Sequence, residues 1–330
     1  MAWTRRELEF TGKTFSDWRN WRQRFYSKLV ELVGDYPPAT PLRARVVERK
    51  DCGEYLREMV VYWSTRGSPV PAWVLVPKKK PKRGKHRAIL CLHGHGPGMD
   101  HVAGVHYGDP AKKQEIRSLN YDYGLQFARR GFLTMTPEAR SFGRRGDRES
   151  MLKTFRDLCN VNHLKATLLG YNLIALDLWD LKCALNYLET RPDVDSSRIG
   201  SCGLSYGGTM SMYLSALDER IKASVISCYA TTFRSYAVEN DNFCGSQYVP
   251  GIARYGDIGE IIGLIAPRPV CIENGLRDIG FKIDQARLAH EKVRRIYRAS
   301  GALERLVVDE FDGLHAFSGR KSIPFMEKWL

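Results

Sequence analysis

Serine, aspartate and histidine, three residue types that cooperate in nucleophilic catalysis, each occur just after a predicted strand. Ser205 lies in "GLSYGG", after the apolar run Arg198–Cys202. Asp278 follows "VCIENG", and His315 follows "LVVDEFDG". A serine hydroxyl becomes a good nucleophile when a histidine accepts its proton and a carboxylate orients that histidine. The spacing therefore predicts a triad of Ser205, His315 and Asp278.

The glycines around Ser205 have a steric explanation. A strand that turns sharply into a helix forces its apex residue into a strained conformation, and flanking side chains would collide there. Gly203 and Gly207 remove those collisions, and Gly208 lets the helix start close to the sheet. The backbone N–H of Tyr206 would then point at a developing oxyanion.

Several carboxylates other than Asp278 could in principle orient His315. Asp284 lies in the next predicted helix, and Asp312 precedes His315 by three residues. Asp257 and Glu260 lie in the insertion before the strand "RPVCIENG". Asp278 is preferred because it directly follows a strand end, where the ligands of parallel sheets bind.

The stretch "LHGHGPG" predicts a second oxyanion donor, the backbone N–H of His95, because its glycines let a main chain approach the substrate. A dinucleotide fingerprint would need glycine at position 99, where Met99 stands. A hydrolytic metal site would have to use the following scattered histidines, which lack a carboxylate at ligand spacing: His93, His95, His101 and His106. The sequence of this stretch therefore favours neither a dinucleotide site nor a hydrolytic metal site.

A third polar segment, "PEARSFGRRGDRE", is expected near the cleft. Glu138 could bond the loop that carries His93, and Arg140 or Arg144 could meet the substrate; a salt-bridged loop is the alternative. The residues expected to line the substrate pocket are His93, Glu138, Arg140, Tyr248 and Phe317, with the ring of Tyr206 as a further candidate.

The elements that must position these residues follow from periodicity. Apolar residues at helical spacing predict a helix over Thr14–Gly34, capped by Ser16, and Leu56–Pro77 predicts a hairpin. One long helix is expected over "TLLGYNLIALDLWDLKCALNYLETRP", and strands alternate with helices from residue 87 onward. These features predict an α/β fold with a mainly parallel central sheet, helices on both faces and an antiparallel N-terminal hairpin. We assign residues 1–50 to a helical extension and 51–330 to one catalytic domain, with a cap-like insertion at about 231–268.

Composition narrows the class of protein. The 330 residues are 43% hydrophobic and 27% charged, as in a soluble enzyme, with no apolar run long enough for a membrane span. The formal charge is +14, but its densest run, Lys78–Arg87, has no interleaved aromatics and predicts a solvated loop rather than a specific nucleic-acid site. The eight scattered cysteines and the lack of a signal sequence favour reduced thiols in the cytoplasm. A homo-oligomer is compatible with the sequence.

The motifs together resemble the α/β-hydrolase superfamily, and within it the dienelactone-hydrolase-like and acetyl xylan esterase-like (cephalosporin-C deacetylase-like) branch. The matching stretches are "LHGHG", "RPDVDSSRIGSCGLSYGG", "YVPGIARYGDIGEIIGLIAPRPVCIENGLRD" and "FDGLHAF", within residues 57–330. The resemblance implies the α/β-hydrolase fold, the same triad, no cofactor and hydrolysis of carboxylic esters. Serine at position 205, where dienelactone hydrolases use cysteine, favours simple esters, and Lys282 departs from a proline common in the branch.

The expected function is thus that of a serine carboxylesterase acting on a small-molecule ester. A sugar deacetylase or a peptidase of the same fold is an alternative. A basic binding protein with a vestigial triad is the alternative from another class.

Overall fold

The computed structural model describes residues 6–79, 81, 84–96, 98–146, 158–240 and 244–330. Residues 80, 82 and 83 of the basic run, 147–149 of the segment after Glu138, and 241–243 of the predicted insertion lie outside this description. The α-helices are Phe15–Val33, Met99–Val102, Pro110–Ser118, Tyr123–Arg129, Leu158–Leu168, Leu173–Thr190, Tyr206–Leu217, Ile258–Gly263, Ile283–Ala299 and Ser322–Trp329.

The strands are β1 (Arg45–Asp51), β2 (Tyr55–Thr65), β3 (Ser68–Pro77), β4 (His86–Leu92), β5 (Leu133–Pro137), β6 (Val194–Leu204), β7 (Ile221–Ser227), β8 (Val270–Gly275) and β9 (Leu306–Phe311). In the described part of the chain they form one nine-stranded sheet in the order β1-β2-β3-β5-β4-β6-β7-β8-β9. β1, β2, β3 and β5 pair antiparallel. β5, β4, β6, β7, β8 and β9 pair parallel. The predicted hairpin and mainly parallel sheet are confirmed.

The two faces of the sheet carry separate hydrophobic cores. Along β4, Ala88 and Leu90 enter one core, while Ile89 and Cys91 enter the other, as the alternation of strand side chains requires. The first core also holds the buried faces of helices Leu173–Thr190 and Tyr206–Leu217. The second holds residues of Tyr123–Arg129 and Ser322–Trp329. Helices therefore cover both faces, and the carboxyl ends of the parallel strands form one edge.

The N-terminal helix, Phe15–Val33, lies within the predicted segment Thr14–Gly34 and packs on the body through one apolar stripe. Its buried residues are Trp18, Trp21, Phe25, Leu29 and Val33. The cap is Thr14 rather than the predicted Ser16: the Thr14 hydroxyl accepts from the Asp17 N–H, and the Asp17 carboxylate accepts from the Thr14 N–H. A single reciprocal capping box thus fixes where the helix starts.

Two predicted segments, the long helix and the insertion, differ from their descriptions above. The predicted long helix is two helices, broken by a turn in which Gly170 has a φ of +80° and Asn172 caps the second helix by accepting from the Ala175 N–H. The predicted cap-like insertion is only partly peripheral, because Ile258, Ile261 and Ile262 are fully buried in the first core. In the described part of the chain, no helix combines the length and hydropathy that a membrane span needs.

Candidate active site

Ser205 occupies the turn between β6 and the helix Tyr206–Leu217. It has a φ of +60° and a ψ of −118°, a conformation that non-glycine residues rarely adopt. The turn is held because the Ser205 N–H donates to the Ser227 carbonyl at 2.9 Å and the Thr209 N–H donates to the Ser205 carbonyl at 2.9 Å. Strained residues of this kind cluster at functional sites. The predicted sharp turn is present.

The glycines around this turn are required by close packing. A Cβ on Gly203 would overlap the Gly207 carbonyl, and a Cβ on Gly207 would overlap the Leu92 carbonyl. A Cβ on Gly208 would lie 2.9 Å from the Ser227 carbonyl oxygen. Neighbouring backbone carbonyls therefore leave no room for a side chain at these three positions, as the sequence predicts.

Tyr206 is the first residue of the helix, so helix geometry supplies no acceptor for its backbone N–H. Its side chain turns into the body of the protein, where the hydroxyl donates to Asp177 Oδ2 at 2.6 Å. The ring is fully buried, which corrects its interpretation as a pocket wall.

Asp278 and His315 are in direct contact. His315 Nδ1 lies 2.6 Å from Asp278 Oδ2, and Asp278 Oδ1 accepts from the N–H groups of Gly280 and Phe281 at 2.9 and 3.1 Å. The Asp278 side chain is 1% exposed and that of His315 is 37% exposed. The Phe281 ring stacks on the imidazole with a centroid distance of 5.3 Å and an interplanar angle of 14°. The carboxylate thus holds Nδ1 as the donor, which leaves Nε2 as the acceptor of the neutral ring.

Neighbouring strands bring these two residues together. Asp278 follows the end of β8 and His315 follows the end of β9, and the two strands are paired in parallel. The competing carboxylates have other partners: Asp312 pairs with Arg277 at 2.9 Å, and Asp257 with Arg6 at 2.6 Å. Glu260 pairs with Lys292 at 3.1 Å, and Asp284 interacts with its neighbour Gln285.

The third predicted member, Ser205, is not bonded to this pair. In the described part of the chain its hydroxyl has no hydrogen bond to the His315 ring. Ser205 opens onto a cleft of about 710 Å³, whose lining includes His95, Tyr236, Cys244 and Phe281. Phe281 therefore contacts the histidine and lines the cleft of the serine. Hydrogen bonds between catalytic groups are often long in enzymes without substrate.

The loop after β4 is tied to the loop after β5 by buried polar groups. His93 Nε2 accepts from the Ala139 N–H at 3.0 Å, so its Nδ1 donates to the Gly94 carbonyl at 2.8 Å. Burial lowers the pKa of His93, which keeps the ring neutral. Glu138 accepts from the Met99 N–H at 2.8 Å and from the Arg144 N–H at 3.1 Å. His93 and Glu138 thus support the His95 loop. The predicted bond from Glu138 is made to Met99, the first residue of the short helix Met99–Val102 that comes after this loop.

Three of the predicted pocket residues lie elsewhere. Arg140 donates to Asp180 at 2.7 Å, so the salt-bridged alternative describes it. Phe317 is 2% exposed and packs on Tyr123 in the second core, because the chain turns back into the sheet after His315. Tyr248 is half-buried with its ring 5.5 Å from that of His163. The Phe317 and Arg140 predictions are therefore corrected. Tyr236, which does line the cleft, belongs to the cap-like insertion predicted at about 231–268.

A cluster of two cysteines and a histidine borders the same cleft. Cys159 Sγ lies 3.2 Å from Cys244 Sγ and 3.6 Å from His95 Nε2. Hydrogen bonds from Cys159 above all, and from His95 and Ser246, lower the pKa of Cys244 to about 4 although burial opposes this. His93, His101 and His106, the other histidines considered as metal ligands, belong to no such group among the described residues.

Cys228 lies beside the Asp278–His315 pair, with the three donor atoms within 4.8 Å of one another. Burial, and then the charge of Asp278, raise the pKa of Cys228 to about 12. This thiol therefore stays protonated and packs beside the pair without offering a thiolate nucleophile.

Comparison with known proteins identifies the family. The Abhydrolase family profile matches residues 4–320. The chain belongs to this family. Bacillus subtilis YtaP, provisionally designated a hydrolase, is 27% identical to this Abhydrolase-family protein over 317 residues, covering 92% of this chain and 98% of YtaP. The predicted α/β-hydrolase fold and hydrolase class are confirmed.

Solved structures show the same fold. A Bacteroides fragilis protein provisionally designated an acetyl xylan esterase superposes on this Abhydrolase-family protein with a TM-score of 0.82 at 18% identity, covering 99% of this chain and 92% of the other. The glucuronoyl esterase of Solibacter usitatus gives 0.70 at 15% identity, covering 99% and 97%.

Proposed function

We propose that this protein is a serine carboxylesterase that works through an acyl-enzyme intermediate. The observation that carries the proposal is the 2.6 Å contact of His315 with a buried Asp278, at the same sheet edge where Ser205 occupies a strained turn beside an open cleft. A histidine that is oriented by a buried carboxylate is the general base that a nearby serine needs for attack on a carbonyl, so the proposal requires His315 and Ser205 to come into contact when substrate binds.

In the proposed reaction, Ser205 Oγ forms a bond to the ester carbonyl carbon while its proton passes to His315 Nε2. The tetrahedral intermediate collapses, the carbon–oxygen bond to the alcohol breaks, and His315 returns the proton to the departing alcohol. Water then attacks the acyl-enzyme with the same help, which releases the acid and restores Ser205. Asp278 keeps Nδ1 protonated throughout and stabilises the imidazolium.

The negative oxygen of each intermediate needs donors that are in place before the reaction. The Tyr206 N–H is one, as the first amide of a helix without an intrahelical acceptor. The His95 N–H is the second, on the loop that Glu138 anchors through Met99. General-base assistance contributes roughly 10²–10⁴-fold, and each oxyanion donor about 2.7–4 kcal/mol.

A carbohydrate ester is the second candidate substrate, and the cleft favours it. Beside Ser205 the cleft presents polar side chains, among them Ser235, Glu239, Gln247 and Lys282. Such a lining suits a hydroxylated substituent better than a long acyl chain, since apolar chains need apolar walls. Proteins of the same fold carry the names acetyl xylan esterase and glucuronoyl esterase.

The proposal is tested with a panel of substrates on the purified protein. The panel holds p-nitrophenyl acetate and decanoate, an acetylated xylo-oligosaccharide, a methyl-esterified glucuronate and an aminoacyl anilide. We expect turnover of short or sugar esters, none of the anilide, and a loss of about 10⁶ in kcat in Ser205→Ala. A folded wild-type protein that hydrolyses none of the esters would refute the proposal, and salt-sensitive DNA binding without hydrolysis would favour the binding-protein alternative.

A further inference from the structure

The cluster of His95, Cys159 and Cys244, here called the Cys–His cluster, joins three separate parts of the chain. His95 lies in the loop after β4, Cys159 in the helix Leu158–Leu168, and Cys244 in the segment between β7 and β8. Their donor atoms all lie within 4.8 Å of one another. Cys159 and Cys244 are 3% and 9% exposed, whereas His95 is exposed. None of these ring or sulfur atoms has a step in the proposed ester hydrolysis.

We propose that the Cys–His cluster binds a thiophilic divalent metal ion, zinc by its ligand set, and leaves one coordination position open to the cleft of Ser205. Two thiolates and one imidazole are a known ligand set for zinc with an open fourth position. His95 and Cys244 both line the cleft that contains Ser205, so water or an added ligand can reach the fourth position.

The distances suit a tetrahedral ion. With zinc–sulfur bonds of about 2.3 Å and a zinc–nitrogen bond of about 2.0–2.1 Å, a tetrahedral site separates sulfur from nitrogen by roughly 3.5–3.6 Å and two sulfurs by roughly 3.8 Å. The Cys159 Sγ to His95 Nε2 distance is 3.6 Å. The two sulfurs, at 3.2 Å, would have to separate by about 0.6 Å.

A disulfide is the competing use of the two cysteines and fits less well. Its sulfurs would have to approach by about 1.2 Å to reach a bond length of about 2.05 Å. A disulfide would also leave the His95 nitrogen beside the sulfurs without a function. The Ser246 hydroxyl lies 2.9 Å from Cys244 Sγ, as an outer hydrogen-bond partner of a bound thiolate would.

A bound metal ion would link the His95 loop to the helix Leu158–Leu168 and to the segment after β7, because each of these parts supplies one ligand. An ion that binds only the folded protein stabilises it by an amount that grows with the logarithm of ion concentration over the dissociation constant, so the thermal midpoint should rise with added zinc. The site does not depend on the proposed esterase function, because Ser205 is not one of its ligands. Ser205→Ala should therefore bind metal as the wild type does.

The test is titration of the reduced, metal-stripped full-length protein with Co²⁺ and Zn²⁺. We expect one Co²⁺ per chain, a thiolate-to-cobalt charge-transfer band in the near ultraviolet, and displacement by Zn²⁺. Cys159→Ser and Cys244→Ser should each weaken binding at least about 10-fold and remove part of the band, and His95→Asn should weaken binding with the band kept. Cys52→Ser, a cysteine far from the cluster in sequence, is the matched control and should bind normally.

Because a serine variant might fail to fold, zinc-edge X-ray absorption of the zinc-loaded wild type provides a second measurement. It should show two sulfur neighbours at about 2.3 Å and nitrogen or oxygen neighbours at about 2.0 Å. A protein that takes up no Co²⁺, a band whose intensity is unchanged in both cysteine variants, or a zinc shell without sulfur would overturn the proposal. So would reduced protein that binds no metal but forms a Cys159–Cys244 disulfide with oxidised glutathione.

Discussion

His315 Nδ1 lies 2.6 Å from Asp278 Oδ2, while the other Asp278 oxygen accepts from the backbone N–H groups of Gly280 and Phe281. The carboxylate therefore cannot rotate without breaking main-chain hydrogen bonds, and the imidazole orientation is set by the backbone after β8. In the proposed mechanism this contact decides which ring nitrogen is free to accept the serine proton.

Asp278→Asn should lower kcat by roughly 10³–10⁴-fold with little change in KM, because an amide can donate to Nδ1 and so favour the wrong tautomer. Steady-state kinetics on a short ester give both constants. Asp312→Asn is the matched control, since that exposed carboxylate pairs with Arg277 and should leave kcat unchanged. If Asp312→Asn lost activity and Asp278→Asn kept it, the assignment of the acid would be wrong.

Glu138 is predicted to position the His95 loop. Glu138→Ala leaves the Met99 and Arg144 N–H groups without an acceptor, which should cost about 1–3 kcal/mol in the free energy of unfolding for each group that stays buried. It should also lower kcat more than it raises KM, because the oxyanion donor moves. Glu138→Gln retains one carbonyl acceptor and should recover part of both losses. Urea unfolding and ester kinetics on the two variants measure this; equal kcat in Glu138→Ala and wild type would contradict it.

Stability should depend on pH through Glu273, whose pKa burial raises from 4.5 to about 7. The folded protein binds this proton more tightly than the unfolded chain, so stability falls as pH rises from about 4.5 to about 7. The full effect is about 3 kcal/mol.

Glu273→Gln removes this titration, so its stability relative to the wild type should increase over the same pH range and then level off. Denaturant unfolding at several pH values measures the difference. The exposed Glu304→Gln is the control, and its free energy of unfolding should change with pH as that of the wild type does. A difference in the free energy of unfolding between Glu273→Gln and the wild type that stays constant with pH would count against the prediction.

The N-terminal helix is predicted to be part of the same folding unit as the sheet. Phe25 is fully buried, and its ring lies where a Cβ on Gly256 would touch it. Phe25→Ala should therefore lower the free energy of unfolding by about 3–5 kcal/mol in one cooperative transition. Val30→Ala, on the exposed side of the helix, should cost far less. A separate early transition for the helix would show that residues 1–50 unfold on their own.

Local chemistry explains what the sequence could predict. Glycine at 203 and 207 signals a crowded turn, and the positions of Asp278 and His315 after strands place them at one edge. Strand β1 cannot be predicted in this way, because all of its residues are exposed and it lacks apolar alternation. The break near Gly170 cannot be predicted either, because helical periodicity continues on both sides of it.

Tertiary contacts could not be predicted in the same way. Cys159 and Cys244 are separated by 85 positions, and only the path of the segment after β7 brings them together. Phe317 follows the predicted base by two residues, yet the chain direction after His315 sends its ring into the core. The contact of Arg140 with Asp180 likewise depends on a helix 40 positions away.

Covalent labelling of the nucleophile tests the central claim most directly. The folded protein is incubated with a fluorophosphonate, digested, and the adduct is located by mass spectrometry, with Ser205→Ala and Ser235→Ala in parallel. We expect one adduct, on Ser205, in the wild type and in Ser235→Ala, and none in Ser205→Ala. An adduct on another residue, or no adduct on a protein that hydrolyses esters, would contradict a mechanism in which Ser205 attacks the substrate.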